Sequence, residues 1–160
     1  MGLGTLAVSA PGDPTTGRTH LMHEITMDQV MSPSVHTIGK QQTLAFAHEE
    51  MRRLRIRHLP VLDGGHVVGI VTERDLHLVE TLRDVDSERV TVDDAMTPDP
   101  YVVAPGATLR HVAREMADRK LGAAVVARGS HVVGVFTTVD ALRVLATTLG
   151  DDARLRDCGP

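Results

Sequence analysis

The chain repeats itself. Shifting residues 31–75 by 65 positions, with no gap, gives 14 identities in 45 positions, where ordinary composition yields about three by chance. The matches keep their order: Met31/Met96, Pro33/Pro98, Thr43/Thr108, Leu44/Leu109, Glu50/Glu115, Met51/Met116, Val61/Val126, Gly64/Gly129, His66/His131, Val67/Val132, Val68/Val133, Gly69/Gly134, Thr72/Thr137 and Asp75/Asp140. A duplication of this size constrains the fold before any other feature does. A unit of about 45 residues buries too little surface to be stable alone. The two copies must therefore pack on each other, as one pseudo-symmetric pair with a cleft between the halves.

Local signals give both copies the same order, β-α-β-β-α, so the fold class is α/β with segregated α+β character. A short β-rich segment (Val35–Ile38; Tyr101–Val103) precedes a helix capped by Thr43 or Thr108. Leu44, Ala47, Met51 and Leu54 recur at helical spacing in the first copy, as do Leu109, Val112, Ala113 and Met116 in the second. Strands follow at His58–Leu62 and Ala123–Ala127. Tight turns at Asp63-Gly64-Gly65 and Arg128-Gly129-Ser130 lead into strands His66–Val71 and His131–Phe136. A second helix runs from Thr72 to about Arg83, and from Thr137 to about Leu149. Thr91-Val92-Asp93-Asp94 caps a short turn before Met96, as Thr26-Met27-Asp28 does before Met31. The expected organisation is a tail over 1–25, a first repeat over 26–83, a linker over 84–91, a second repeat over 92–149 and a tail over 150–160.

Composition narrows the function. Three aromatics (Phe46, Tyr101, Phe136) leave no stacking platform for single-stranded nucleic acid, and a net charge of −4 lacks the usual basic footprint. Nucleic-acid binding through the Arg52–His58 cluster is disfavoured on that ground. The single Cys158 allows no internal disulfide. With no signal-peptide pattern and no long apolar run, the expected place is the cytoplasm, off the membrane. Nine histidines show no paired metal spacing, so no metal is expected. No nucleophile elbow, zinc-protease helix or phosphate-binding Gly-rich loop appears, and no enzymatic activity is expected.

The phrase that closes each repeat is Gly-x-x-Thr-x-x-Asp, at Gly69-Thr72-Asp75 and Gly134-Thr137-Asp140. Two readings stay open. Thr-x-x-Asp at a helix start is a capping box with a purely structural role. Alternatively, a strand ending at a helix N-terminus presents free amides to a phosphate, the Asp accepts ribose hydroxyls, and Gly69 and Gly134 leave room for a ligand at the backbone.

The ordered set of Met-Ser-Pro (31–33), Met-Thr-Pro (96–98), the Thr-Leu helix starts, Ile-Arg-His-Leu-Pro-Val (56–61) and the doubled closing phrase resembles a tandem pair of cystathionine-β-synthase (CBS) domains over residues 27–146. The resemblance implies a regulatory module that binds AMP, ADP, ATP, S-adenosylmethionine or a cyclic dinucleotide between the repeats and signals to a partner protein. It implies ribose contacts from Asp75 and Asp140, phosphate contacts near Thr72 and Thr137, and adenine-edge positions at Thr37, Ile38, Val102 and Val103. Arg57 and His58, entering the middle strand beside Pro60, are implied phosphate contacts. Gly122 and Ala123 stand there in the second repeat, so the Thr72/Asp75 pocket is expected to be the tighter one. His58 adds a cation if protonated. A homodimer is expected from the apolar residues of the second helices (Leu76, Val79, Leu82; Ala141, Leu142, Val144, Leu145). The alternative is a structural dimerisation module whose Thr and Asp only cap helices.

Overall fold

The computed structural model describes residues 25–33, 36–81 and 86–150. Its elements are α1 (Met27–Val30), β1 (Ile38–Gly39), α2 (Leu44–Leu54), β2 (His58–Asp63), β3 (His66–Thr72), α3 (Glu73–Glu80), α4 (Val92–Ala95), β4 (Thr97–Pro98), β5 (Val102–Val103), α5 (Leu109–Asp118), β6 (Ala123–Arg128), β7 (His131–Thr137) and α6 (Thr138–Gly150). The expected β-α-β-β-α order is present twice, each time led by a short extra helix. Of the two expected tails, Ile25 packs on the second core and Gly150 ends α6; the rest of both tails, Val35, Leu82, the end of the first repeat's second helix and Cys158 lie outside the described residues.

Helices start where hydroxyls can cap them. The Phe46 amide donates to Thr43 Oγ1 at 3.2 Å and the His111 amide to Thr108 Oγ1 at 3.4 Å, each satisfying one of the orphan donors of a first turn. Beyond α2, Arg55 turns left-handed (φ 55°), and its equivalent Lys120 does the same (φ 56°). The amides that follow, Ile56 and Leu121, return to the Met51 and Met116 carbonyls at 3.0 and 2.8 Å, the usual closure of such an end. In the first hairpin Gly64 (φ 55°) and Gly65 (φ 83°) are both left-handed, the turn whose twist suits paired strands.

In each sheet a parallel pair (β1–β2; β5–β6) adjoins an antiparallel hairpin (β2–β3; β6–β7). Strand alternation divides the side chains between two faces. Leu59, Val61 and Val71 pack under α2 and α3 in one core, and Ala124, Val126 and Phe136 pack under α5 in the other. Ile70, Val125 and Val135 are also buried but belong to neither helix-side core. They occupy the opposite sheet faces, where the two repeats meet.

The repeats exchange their lead segments. β4 belongs to the second repeat in sequence yet pairs with β3 of the first (Gly69 with Pro98, Ile70 with Thr97). Reciprocally, Ser32 pairs with Val135 through two hydrogen bonds of 3.0 and 3.1 Å. The short helices follow the same rule. Met27 is fully buried in the second core, where its amide donates to the Ala107 carbonyl at 3.0 Å, and Val92 is fully buried in the first, with its amide on the Gln42 carbonyl at 2.8 Å. Burying such a side chain contributes about 1.5–3 kcal/mol, so each repeat depends on a piece of the other. The segment read as a linker takes part as well: Val90 packs against the first core and accepts the Leu44 amide at 3.0 Å.

This exchange corrects the role expected for the two motif glycines. A Cβ on Gly69 would lie 2.3 Å from Met96 Sδ and 3.1 Å from the Thr97 carbonyl oxygen. On Gly134 it would lie 2.6 Å from Met31 Sδ and 2.8 Å from the Ser32 carbonyl oxygen. The missing side chain makes room for the exchanged segment, not for a ligand. Overpacking typically costs about 1–3 kcal/mol. Gly134→Ala should reach that range in urea denaturation, because backbone stands in the way. Gly69→Ala should cost less, because the Met96 thioether can swing aside. Equal, near-zero losses would contradict this packing account.

Candidate functional site

Both closing phrases are complete capping boxes. Asp75 Oδ2 accepts the Thr72 amide at 2.9 Å and the Thr72 hydroxyl at 2.7 Å, and the Asp75 amide donates back to Thr72 Oγ1 at 3.2 Å. The second copy repeats this at 2.9, 2.7 and 3.3 Å through Thr137 and Asp140. The first helical amides are committed too: Glu73 donates to the Arg57 carbonyl and Thr138 to the Gly122 carbonyl, each at 3.1 Å. The expectation of freely presented amides is therefore corrected. Two of the first three in each helix are used to fix the strand-to-helix corner, which leaves side chains to do any ligand binding.

The boxes differ in their second carboxylate oxygen. Among the described residues Asp75 Oδ1 receives no hydrogen bond. Asp140 Oδ1 receives two, from the Ser32 hydroxyl at 3.2 Å and from Arg143 Nη1 at 3.0 Å. Asp140 is 6% exposed, and a buried carboxylate must be paired and hydrogen-bonded. Leu78 occupies the place of Arg143 in the first repeat, and Thr97 that of Ser32.

The packing of the repeats also overturns the expected grouping of Arg57 and His58 with Thr72 and Asp75 alone. The turn from α2 into β2 reaches across the cleft. Arg55, Arg57 and His58 line a cavity of about 180 Å³ together with Thr137, Asp140 and Arg143. Arg57 and His58 also border an adjoining cavity of about 360 Å³, beside Thr72, Glu73, Arg74 and Gly122. The basic turn stands between the two motifs, and Arg55 and Arg57 line the cavity on the Asp140 side with Arg143 of α6. Sequence reasoning missed Arg55, Arg143 and Ser32. An Arg three residues after an Asp on one helix is a signal that could have found Arg143.

The other expected positions divide. Ile38 (2% exposed) and Val103 (9%) are core side chains, so only their backbone could serve as a ligand edge. Thr37 and Val102, their neighbours, are half-buried and exposed respectively. Pro60 is buried opposite Ile70. None of these five lines the two cavities above. Among the described residues no three His, Cys, Asp or Glu side chains gather as a metal set, and no helix is long and apolar enough to cross a membrane.

Burial lowers the pKa of His58 below 6.5, and the Arg57 charge adds to the effect; Asp140 and then Asp75 oppose it. Burial thus favours the neutral imidazole, which tells against the condition under which His58 would add a cation. Both carboxylates bear on it, as its place between the motifs requires.

Residues 27–79 and 92–147 each match the CBS domain family. Inosine-5′-monophosphate dehydrogenase of Korarchaeum cryptofilum is 33% identical over 107 residues, covering 66% of this chain and 21% of that enzyme. The chain thus spans about a fifth of that relative's length. Among solved structures, an acetoin utilization protein from Vibrio cholerae is 28% identical, with 85% of this chain and 98% of that one covered and a TM-score of 0.67. CBSX2, solved with AMP, is 24% identical (77% and 97% covered, TM-score 0.66). The CBS domain pair of protein MJ0100, solved with 5′-methylthioadenosine and S-adenosyl-L-methionine, is 22% identical (76% and 96% covered, TM-score 0.67).

A lowered histidine pKa makes stability depend on pH in a definite direction. As pH falls through about 6.5, the unfolded chain binds a proton at this position that the folded chain refuses. The neutral imidazole's share of stability is therefore present above that pH and declines below it, until the folded pKa is reached. Between pH 7.5 and 5.5, His58→Ala should lose less unfolding free energy than wild type in urea titrations. Parallel losses would show that burial does not hold His58 neutral.

Proposed function

The chain belongs to the CBS domain family, and from that premise we propose that it is a non-catalytic regulatory module that binds an adenosine-containing nucleotide in the cleft between its repeats and passes the bound state to a partner protein. The observation that carries this reading is the convergence on one cleft of Arg55, Arg57 and His58 from the first repeat with Thr137, Asp140 and Arg143 from the second. Guanidinium groups suit phosphate oxygens through paired N–H donors, and a carboxylate suits a ribose diol. The ligands present in CBSX2 and in the MJ0100 pair support the same ligand class. AMP, ADP, ATP and S-adenosylmethionine are the candidates.

Transmission would be a population shift: a ligand that binds one arrangement of the repeats better biases the protein toward it. The contact most exposed to such bias is Ser32 on Asp140. Ser32 belongs to the exchanged lead segment, so a ligand hydroxyl competing for Asp140 Oδ1 acts on the chain that ties the repeats together. In thermal shift, a saturating ligand at about 100 times its Kd should add about 2.7 kcal/mol to stability. Asp140→Asn should cut that gain more than it lowers the ligand-free melting temperature. No shift with any of the four ligands at millimolar concentration would reject the reading.

The structural-module alternative keeps one observation of its own. Leu142, Leu145 and Leu149 lie 62%, 45% and 44% exposed along α6, at the i, i+3, i+7 spacing of one helix face. Of the other residues expected to be in surplus, Leu76 is buried, and Val79, Ala141 and Val144 pack within the chain. This stripe supports a homodimer through α6, whether or not a nucleotide binds. Light scattering should give twice the 17.3 kDa chain mass, reduced to one chain by Leu145→Glu. A single-chain mass for wild type would reject the dimer.

A further inference from the structure

We propose that Arg143 is a specificity-determining residue, one that makes the Asp140 pocket select phosphorylated nucleosides over neutral ones. This rests on the nucleotide-binding reading above and deepens it. A carboxylate offers about four acceptor positions. Asp140 uses all four: two on the Thr137 amide and hydroxyl, one on the Ser32 hydroxyl and one on the Arg143 guanidinium. A ribose can reach this carboxylate only by displacing the donors on Oδ1, and one of these is charged. The Arg143 side chain is 71% exposed, so it is free to leave.

What it leaves for decides the selectivity. A neutral nucleoside replaces a charge-assisted bond with weaker neutral O–H donors, and so gains little. A phosphorylated nucleoside offers the departing guanidinium a phosphate, in a cavity that Arg55 and Arg57 already line. In this structure that cavity holds about 180 Å³, below the roughly 300 Å³ at which small-ligand pockets usually begin. Arg143 lines this cavity, so moving it off Asp140 alters the room there.

The first repeat is an internal control. Leu78 takes the matching place, 65% exposed, and Asp75 Oδ1 carries no donor among the described residues. Asp75 itself lines neither cavity, but its Oδ1 carries no charged donor that a diol would have to displace, whereas the Asp140 Oδ1 is guarded. Leu78 and Arg143 are both exposed, so exchanging them does not disturb either core.

The experiment is calorimetric titration of the full chain with AMP, with the neutral 5′-methylthioadenosine, and with pyrophosphate. An Asp75→Asn background blunts the first pocket while keeping a cap acceptor for Thr72. In that background Arg143→Leu should strengthen 5′-methylthioadenosine and weaken AMP, lowering the affinity ratio by about tenfold or more. Arg143→Lys, which keeps the charge without the fork, should fall between. In the chain with Asp75 intact, Leu78→Arg should weaken 5′-methylthioadenosine. An unchanged ratio in Arg143→Leu, or equal changes for both ligands, overturns the inference. If wild type binds neither nucleoside, the nucleotide reading fails by itself and pyrophosphate decides the anion role of Arg143. Pyrophosphate binding weakened about tenfold by Arg143→Leu sustains it; unaltered or absent pyrophosphate binding overturns it.

Discussion

Met96 lies on Gly69 and Met31 lies on Gly134, and these two contacts seat the segments that tie one repeat to the other. Each exists because the methionine's segment has left its own repeat to line the last strand of its neighbour. The reason is physical economy at small size. A three-stranded sheet ends in an unpaired edge at β3 or β7, and an exposed edge invites pairing with other chains. The exchanged segments occupy both edges from within the chain. Pro98, with no N–H to offer, terminates the first. Because Met27 and Val92 travel with these segments into the opposite cores, neither repeat holds a complete core alone.

That mutual dependence sets the cleft. Once the sheets are held face to face, the turn after α2 lies against the start of α6. Three arginines, one histidine and a buried aspartate then line one cavity. The capping boxes make this possible, and Asp140 is both a cap and a cleft group. They fix the corners and commit the amides, so that one carboxylate oxygen of each Asp is left over. In one repeat that oxygen is unoccupied among the described residues; in the other it is the hub of an Asp140–Ser32–Arg143 network. An internal duplication has thus produced two related but unequal strand-to-helix corners, and the inequality lies in a handful of differences: Arg57 for Gly122, His58 for Ala123, Arg143 for Leu78.

Much of this was written in the sequence. The duplicated phrase, the periodic apolar residues of α2 and α5, the Thr caps and the glycine turns are local, and local rules recover them: His58–Asp63 and Ala123–Arg128 begin at the residues expected and run one residue longer. Asp75 and Asp140 were legible as capping residues and as candidate ligand groups at once, because one carboxylate carries an oxygen for the cap and a second beside it. Sequence alone could not say which partner faces which motif. Repeat alignment assigns Arg57 to the motif 15 residues ahead of it in its own repeat. The tertiary fold sets it between both motifs, with Arg55 and Arg143 beside Asp140, because the sheets stack about a pseudo-two-fold axis.

The roles of the glycines divide the two sources of information most sharply. Sequence determined that Gly69 and Gly134 must lack a side chain, since the phrase that contains them is kept in both copies while much around it changes. What fills the space beside them depends on a segment displaced by 27 residues from Gly69 and 103 from Gly134. No local rule reaches that far. Propensity, periodicity and capping act within a turn or two of chain, whereas the exchange of lead segments, the burial of Ile70, Val125 and Val135 between sheets, and the lowered pKa of His58 all follow from which surfaces meet.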